Sequence, residues 1–316
     1  MYRIHERSGL SLDHQEFTCF DKRTLEEKFW EEEYKRFVAA IKCEDDMVQS
    51  FQNLDISNAS GDKSDLPPTE DESAVNNNKE EEIRLEVQTM HAISDTVCYA
   101  DLNAIDLANP CYKFLLNDEL SATKNSISSP TAISSLIPKI IECKLETLKI
   151  YKQCLSLSEY NFLTASGTVL CLTLYSCTIE DDAGNVVTVD KLFDNLQLIH
   201  TFDMHCSNNS SWFELDTVKK MVRIISRFRK LQCLGFHGLT ETFDISSFTD
   251  FVLQNSSIDI RLSFNVQLSA ACKKLIVNFI DKILRNKPKK VPRLQFPSSA
   301  EDSKFAEYDK LYRRQK

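Results

Sequence analysis

The sequence predicts an α/β protein in which parallel strands and helices alternate as an irregular, repeat-like array with the helices on one side of the sheet. Three features support this prediction. Short apolar segments with strand-like alternation recur through residues 145–264, segments with helical spacing of apolar residues lie between them, and the intervals resemble those of repeat proteins. Repeated strand-helix-strand connections are right-handed and build a parallel sheet.

Five apolar segments are the predicted strands of this array. Four of them alternate apolar and other residues, as a strand with one buried face requires. Their equivalent positions are 24, 30, 32 and 28 residues apart, which predicts leucine-rich-repeat-like units that lack the regular asparagine position. The segments are residues 145–151, 169–175, 198–204, 231–237 and 257–264, and the equivalent positions are Leu148, Leu172, Phe202, Leu234 and Leu262.

Helical patterns fill the intervals between the predicted strands. Each begins at a residue that is suited to cap a helix N-terminus and continues with apolar residues on one face. Before the array, residues 128–142 predict a helix that Pro138 kinks or divides, and residues 83–117 contain three segments typical of short strands or extended pieces. The candidate caps are Ser158, Asp190, Asp216, Ser246 and Ser269.

The N-terminal region, residues 1–43, contains a predicted amphipathic helix at 24–42. Thr24 and Glu27 have the spacing of a capping box. Five large apolar residues fall on one stripe, opposite a charged face, so that the helix either packs on its own globular part or binds a partner protein. These candidate partner-binding residues are Trp30, Tyr34, Phe37, Val38 and Ile41.

Charge and composition divide the rest of the chain. Residues 1–84 hold 11 Lys and Arg against 21 Asp and Glu, so that a net charge of −10 lies there and the remainder is near neutral. Residues 44–83 are rich in Asp, Ser, Asn and Glu, and predict a disordered acidic linker. A recognition domain at 84–297 and a C-terminal tail at 298–316 complete the division.

The same composition restricts compartment and partners. Charged residues near the N-terminus argue against a secretory signal, and no charge-free stretch reaches the ~18 residues of a bilayer span, so we expect a cytoplasmic or nuclear protein without a membrane partner. A near-neutral domain argues against nucleic acid as its partner. The 11 cysteines have irregular spacing, and we expect reduced core thiols.

Motifs for chemistry are missing from the sequence. It contains no glycine-rich phosphate loop, no G-x-S-x-G and no H-E-x-x-H, which argues against an enzyme and against a cofactor. Five residues on two neighbouring predicted strands have types that bind zinc. Because positions 200 and 205 of one strand point to opposite faces, we interpret them as ordinary buried cysteines and surface histidines, and predict no metal site. They are His200, His205, Cys206, Cys233 and His237.

Two charged segments have structural interpretations. The acidic loop 180–185 lacks the alternating ligands of a calcium loop, and Gly184 suits a solvated turn. The basic segment 285–293 is typical of a helix C-terminus followed by prolines, and it also fits a contact with nucleic acid or a nuclear localisation signal.

The run NFLTASGTVLCLTLYSCTIEDDAGNVVTVDKLFDNLQLIHTFDM, residues 161–204, resembles the central signature of an expanded nematode family of F-box-associated, leucine-rich-repeat-like proteins. The resemblance covers roughly residues 130–297. It implies a domain that recognises other proteins, and in members with an F-box it implies presentation of substrates to a cullin-type ubiquitin ligase. The matching positions are Phe162, Leu163, Ser166, Gly167, Thr168, Val169, Leu172, Leu174, Gly184, Val187 and Leu192.

Residues 1–130 contain no F-box pattern, which bears on the function that the resemblance implies. The sequence therefore predicts a non-catalytic protein-interaction module of the substrate-recognition type. Its partners would be a Skp-type linker subunit of the ligase or a ligase substrate. The alternative is an adaptor or regulator that has lost the ligase connection.

Overall fold

Eight parallel strands form the centre of a single large sheet. The computed structural model describes residues 83–122, 129–206, 211–265, 267–297 and 303–315. Within them the sheet order is β13-β12-β11-β10-β8-β6-β4-β1-β2-β3, with β5 beside β4, and only β2 and β3 pair antiparallel. The strands are β1 Ile83–Ala92, β2 Val97–Ala100, β3 Asn103–Asp106, β4 Tyr112–Ala122, β5 Ile140–Cys143, β6 Thr147–Tyr151, β7 Cys154–Ser156, β8 Cys171–Tyr175, β9 Thr178–Glu180, β10 Thr201–His205, β11 Cys233–Leu239, β12 Asp259–Phe264 and β13 Arg293–Gln295.

The predicted α/β class and the parallel sheet are confirmed, and all five predicted strand segments are strands of this sheet. The three segments between residues 83 and 117 contain strands as well, and the middle one forms the antiparallel pair β2 and β3. Strands β1 and β4 extend the parallel part of the sheet. The short strands β7 and β9 pair with each other in a separate two-stranded sheet.

One row of buried residues crosses seven of the parallel strands in register, and its members are 24 to 32 residues apart in the sequence. The choice of Leu262 as an equivalent position was wrong, because Leu234 pairs with Ile260. Ile260 and Leu262 of β12 both point into the core, so the apolar pattern of the sequence does not distinguish two strand registers that differ by two residues. The row is Met90, Leu120, Leu148, Leu172, Phe202, Leu234 and Ile260.

The helices follow the predicted segments, and several begin at residues other than the predicted caps. Ser156, not Ser158, caps α2, where its Oγ accepts a hydrogen bond from the Glu159 N–H at 3.1 Å. Asp244, not Ser246, caps α4, and Ser269 caps α5 as predicted. The helices are α1 Ala132–Leu136, α2 Leu157–Thr164, α3 Thr217–Ile225, α4 Ile245–Gln254, α5 Ala270–Asn286 and α6 Ser303–Arg313, with 3-10 turns at Ile137–Lys139 and Val189–Phe193.

Asp190 and Asp216 depart from simple capping. Asp190 lies inside the 3-10 turn, which Thr188 precedes, and it is buried. Asp216 is at the N-cap of α3, but it has a left-handed backbone and its side chain caps no backbone N–H. The segment at Pro138 also differs from a kinked helix. Because proline disrupts a helix interior, α1 ends before the Ile137–Lys139 turn, and Ile140 begins a strand.

The inward-facing strand residues and the apolar helix faces form one core. Its densest part is aromatic. The Phe236 ring centroid lies 5.6 Å from that of Phe202 and 5.7 Å from that of Phe213, and Phe243 packs edge-on against Phe213. All four rings are buried, so this cluster holds the centre of the sheet to the segment that follows β10.

Residues 298–316 contain α6, which contacts α5. Tyr308 of this helix is buried, and its hydroxyl donates to the Pro292 carbonyl at 2.5 Å. The nine cysteines of the described ranges are all free. Two predicted segments lie outside the described residues. One is the helix at 24–42, with Trp30, Tyr34, Phe37, Val38 and Ile41, and the other is the linker at 44–83, of which only residue 83 is described.

Candidate functional site

The strand face that points away from the core carries a continuous row of rings. Tyr151, Tyr175, His205 and His237 occupy the same register position on β6, β8, β10 and β11. Successive ring centroids are 6.0, 4.5 and 4.3 Å apart, and the two imidazoles are stacked with 17° between their planes. All four side chains are partly exposed. We call these four residues the ring row.

Asp203 lies directly beside the two histidines of the ring row. It precedes His205 by two positions on β10, so both side chains point to the same face of the sheet. The Asp203 Oδ1 atom is 3.6 Å from His205 Nε2 and 3.4 Å from His237 Nε2. Only 2% of the Asp203 side chain is exposed, against 31% and 22% for the histidines. The parallel register thus places one buried carboxylate against two accessible imidazoles.

Two glycines of β11 make room for this arrangement. A Cβ on Gly235 would lie 3.2 Å from both Asp203 Cγ and His237 Nε2, so a larger residue would intrude between the carboxylate and the imidazole. Gly238 has φ +74° at a register shift between β11 and β12, and a Cβ there would approach the Cys206 carbonyl oxygen to 2.5 Å. This glycine is required by both its backbone conformation and its close contact.

An open pocket of about 330 Å³ lies beside the two histidines, at the carboxyl ends of β8, β10, β11 and β12. Ser176, Cys206 and Asn265 contribute to its wall. Burial raises the pKa of the Cys206 thiol to about 12, so this cysteine stays a neutral thiol at neutral pH. The pocket therefore offers imidazole, hydroxyl and amide groups without an activated thiolate.

The five residues considered for zinc in the sequence separate in the structure. His205 and His237 meet, and Cys206 borders the same pocket. His200 precedes β10, and Cys233 lies at the other end of β11, where its Sγ atom is 4.0 Å from Asp259 Oδ2. Sequence reasoning missed Asp203. The available signal was its spacing of two residues from His205, which puts both on one face of a strand.

A second polar pair lies further along the same face. His91 Nδ1 and Ser121 Oγ are 2.5 Å apart on the neighbouring strands β1 and β4, and next to them Lys149 Nζ forms an ion pair of 3.0 Å with Glu119. His91 and Ser121 are only 9% and 8% exposed. Burial lowers the pKa of His91, which favours a neutral imidazole. Because a substrate has little access to Ser121 and His91, we interpret the pair as a buried structural hydrogen bond and not as a serine nucleophile with its base.

The two charged segments have the geometry that the structural interpretations predict. Asp181 Oδ1 accepts hydrogen bonds from the Ala183 and Asn185 N–H groups at 3.0 and 2.9 Å, which closes the acidic turn around Gly184. In the basic segment, Lys287 ends α5 with a left-handed backbone, and Arg293 begins β13. The localisation signal stays a prediction.

No family model matches the chain, and no curated protein matches it significantly. Within the described residues, no helix combines the length and the apolar character that crossing a membrane would need.

Proposed function

We propose that this chain is a non-catalytic protein-recognition module, an irregular leucine-rich-repeat-like array that binds partner proteins on the strand face bearing the ring row. The observation that supports the proposal best is the alignment of Tyr151, Tyr175, His205 and His237 across four adjacent strands, partly exposed and in mutual contact. The sequential spacing of the buried row, 24 to 32 residues, supports the repeat-like description.

The chemistry of this face suits protein recognition. Tyrosine has a large apolar ring with a polar tip and few rotatable bonds, and it is enriched in the energetically important parts of interfaces. Polar groups flank the ring row, including Lys149 with Glu119 on one side and Arg261 with Asp259 on the other, where Arg261 Nε donates to Asp259 at 3.1 Å. An aromatic centre with a charged periphery is the usual composition of such a surface.

Two kinds of partner fit the proposal. The resemblance to F-box-associated proteins favours a ligase substrate or a Skp-type linker, with the Trp30 helix as a candidate attachment to the linker in the absence of an F-box pattern. The alternative is an adaptor or regulator without a ligase connection. The same experiment separates them, because only the first predicts co-purification of cullin-ligase components.

The experiment is affinity purification of the full chain followed by mass spectrometry, compared with the double variant Tyr151→Ala/Tyr175→Ala. We expect the double variant to recover at least ten-fold less of a specific partner. Truncation of a central aromatic residue of an interface typically weakens the binding free energy by about 2 kcal/mol or more. Tyr312→Ala, a partly exposed tyrosine on α6, is the matched control and should retain the partner. Unchanged recovery by the double variant would contradict the proposed surface.

A second comparison tests the ligase connection. The chain lacking residues 1–84 should keep the partner bound by the strand face and lose a Skp-type linker if the Trp30 helix makes that attachment. Absence of the linker from the full-length purification would leave the ligase-independent adaptor as the function.

A further inference from the structure

We propose that Asp203, His205 and His237 form a binding site for a divalent transition-metal ion of the zinc class. This proposal goes beyond the protein-recognition function: His205 and His237 also belong to the ring row, but metal binding by the three side chains does not depend on a protein partner. The three candidate ligand atoms, one carboxylate oxygen and two imidazole nitrogens, all lie within 4.8 Å of one another.

Two of the three separations between the ligand atoms match those that a zinc-class ion requires. Ligand atoms held at about 2.0–2.1 Å from a tetrahedral ion are roughly 3.4 Å from each other. Asp203 Oδ1 lies 3.4 Å from His237 Nε2 and 3.6 Å from His205 Nε2. The imidazole planes are 17° apart, so metal binding requires one ring to turn about χ2, which is a torsion with a broad range.

The fold brings the three candidate ligands together. The parallel register sets His205 opposite His237, and the strand periodicity of two sets Asp203 on the face of His205. Gly235 is opposite Asp203 on β11, and its missing side chain leaves open the space between the carboxylate and His237 Nε2. The backbone conformation of Gly235 is not left-handed, so the glycine is needed for space and not for its conformation.

Electrostatics favour a cation at this point. A carboxylate with 2% exposure is costly to bury without nearby positive charge. Arg261 on β12, opposite Gly235, pairs with Asp259, and the charge of Asp203 also acts on it. A divalent ion bound by two neutral imidazoles adds positive charge directly against Asp203.

The ligand set selects the class of ion. Two imidazoles with one carboxylate suit zinc, nickel or copper, whereas magnesium and calcium prefer oxygen ligands throughout. Three protein ligands leave a fourth position, and two of the ligands, His205 and His237, line the open pocket. The fourth ligand is then water or a side chain of another molecule.

A purely structural role is the competing explanation. In that case Asp203 orients the two imidazoles by charge and hydrogen bonding, and no metal ion binds to the three side chains. The two explanations differ in metal dependence and in the response to a change at Gly235, which contributes no ligand atom.

The experiment titrates the purified, metal-free full chain with Co²⁺ and records the visible absorption of the bound ion. We expect one ion per chain with a tetrahedral spectrum and no sulfur-to-metal charge-transfer band, since the site contains no thiolate. His237→Gln should weaken binding at least 100-fold, because even residues outside the ligand shell typically contribute 10- to 100-fold. His200→Gln, which changes a partly exposed histidine at the start of β10, is the matched control and should bind as the unchanged chain does.

Gly235→Ala keeps the proposal testable if the histidine variant folds poorly. Its added methyl group would narrow the site while all three ligands remain, and we expect at least ten-fold weaker Co²⁺ binding with an unchanged far-ultraviolet circular dichroism spectrum. Three results would each overturn the proposal. The first is the absence of the tetrahedral spectrum, and the second is a spectrum dominated by thiolate charge transfer. The third is equal Co²⁺ binding by the unchanged chain and the Gly235→Ala and His237→Gln variants.

Discussion

At the scale of single residues, the open strand face depends on polar groups that sequence patterns do not reveal. Asp203 reads as one acidic residue in an apolar strand, yet it is buried beside two histidines. His91 is likewise a partly hidden group, hydrogen-bonded to Ser121. Their placement depends on which strands are neighbours, and neighbour relations are a property of the folded sheet.

Substitution of His91 should change how stability depends on pH. Burial holds the folded pKa of His91 below its ordinary value of 6.5, so the unfolded chain binds more protons and stability falls as the pH drops below about 6.5. We expect His91→Gln to remove this part of the decline between pH 7 and pH 5. Urea unfolding at several pH values measures it, with His200→Gln as the control. An unchanged slope would contradict a buried neutral His91.

Gly238→Ala should destabilise the protein by about 2 kcal/mol or more, because a non-glycine residue at φ +74° is strained and the new Cβ would contact the Cys206 carbonyl. Gly184→Ala is an informative control. Gly184 also has a positive φ, at +77°, but a Cβ added there would meet no atom within 4 Å. The Gly184→Ala variant should therefore lose only the stability that corresponds to the backbone strain. Denaturant unfolding of the two variants compares them, and an equal loss of stability would show that the contact with Cys206 contributes nothing.

At the scale of elements, α2 shows how local sequence fixes a boundary. The Ser156 N–H donates to Glu159 Oε2 at 2.7 Å while the Ser156 Oγ accepts from the Glu159 N–H, which is a complete capping box. The cap predicted from the sequence was Ser158, two residues after the observed cap. The spacing of Ser156 and Glu159 in the sequence already favours Ser156, because the Glu of a capping box lies three residues after the cap.

Ser156→Ala should lower the free energy of unfolding by about 1 kcal/mol, the usual value of an N-cap side chain. Ser158→Ala, which removes the cap predicted from sequence, should cost less than half as much. Thermal or urea denaturation distinguishes the two, and a larger loss for Ser158→Ala would show that the capping assignment is wrong.

At the scale of the whole molecule, one core extends across all of the parallel strands, with aromatic packing at its centre. Phe236 contacts the rings of Phe202, Phe213 and Phe243 and has no exposed surface. Phe236→Ala should therefore cost about 3–5 kcal/mol. Phe305→Ala on α6, where the ring is only partly buried, should cost less. Equal losses would contradict a core centred on β11.

Much of the fold followed from sequence periodicity, and the site did not. Alternation on strands such as β8 and β10 and capping at Ser269 predicted the elements, because each depends on residues within one segment. The register of β12 was misjudged by two residues, since Ile260 and Leu262 are equally apolar. The cluster of Asp203 with two histidines requires that register in addition to element positions, which places it beyond a reading of single segments.

The central claim is that the ring row is the surface on which partner proteins bind. The most direct measurement places a photo-crosslinking amino acid at position 175, within the ring row, or at position 275, where Leu275 is 44% exposed on α5. Crosslinking in cell extract is followed by identification of the attached proteins. We predict a specific partner crosslinked from position 175 and not from position 275. Specific crosslinks from position 275 alone would contradict the claim.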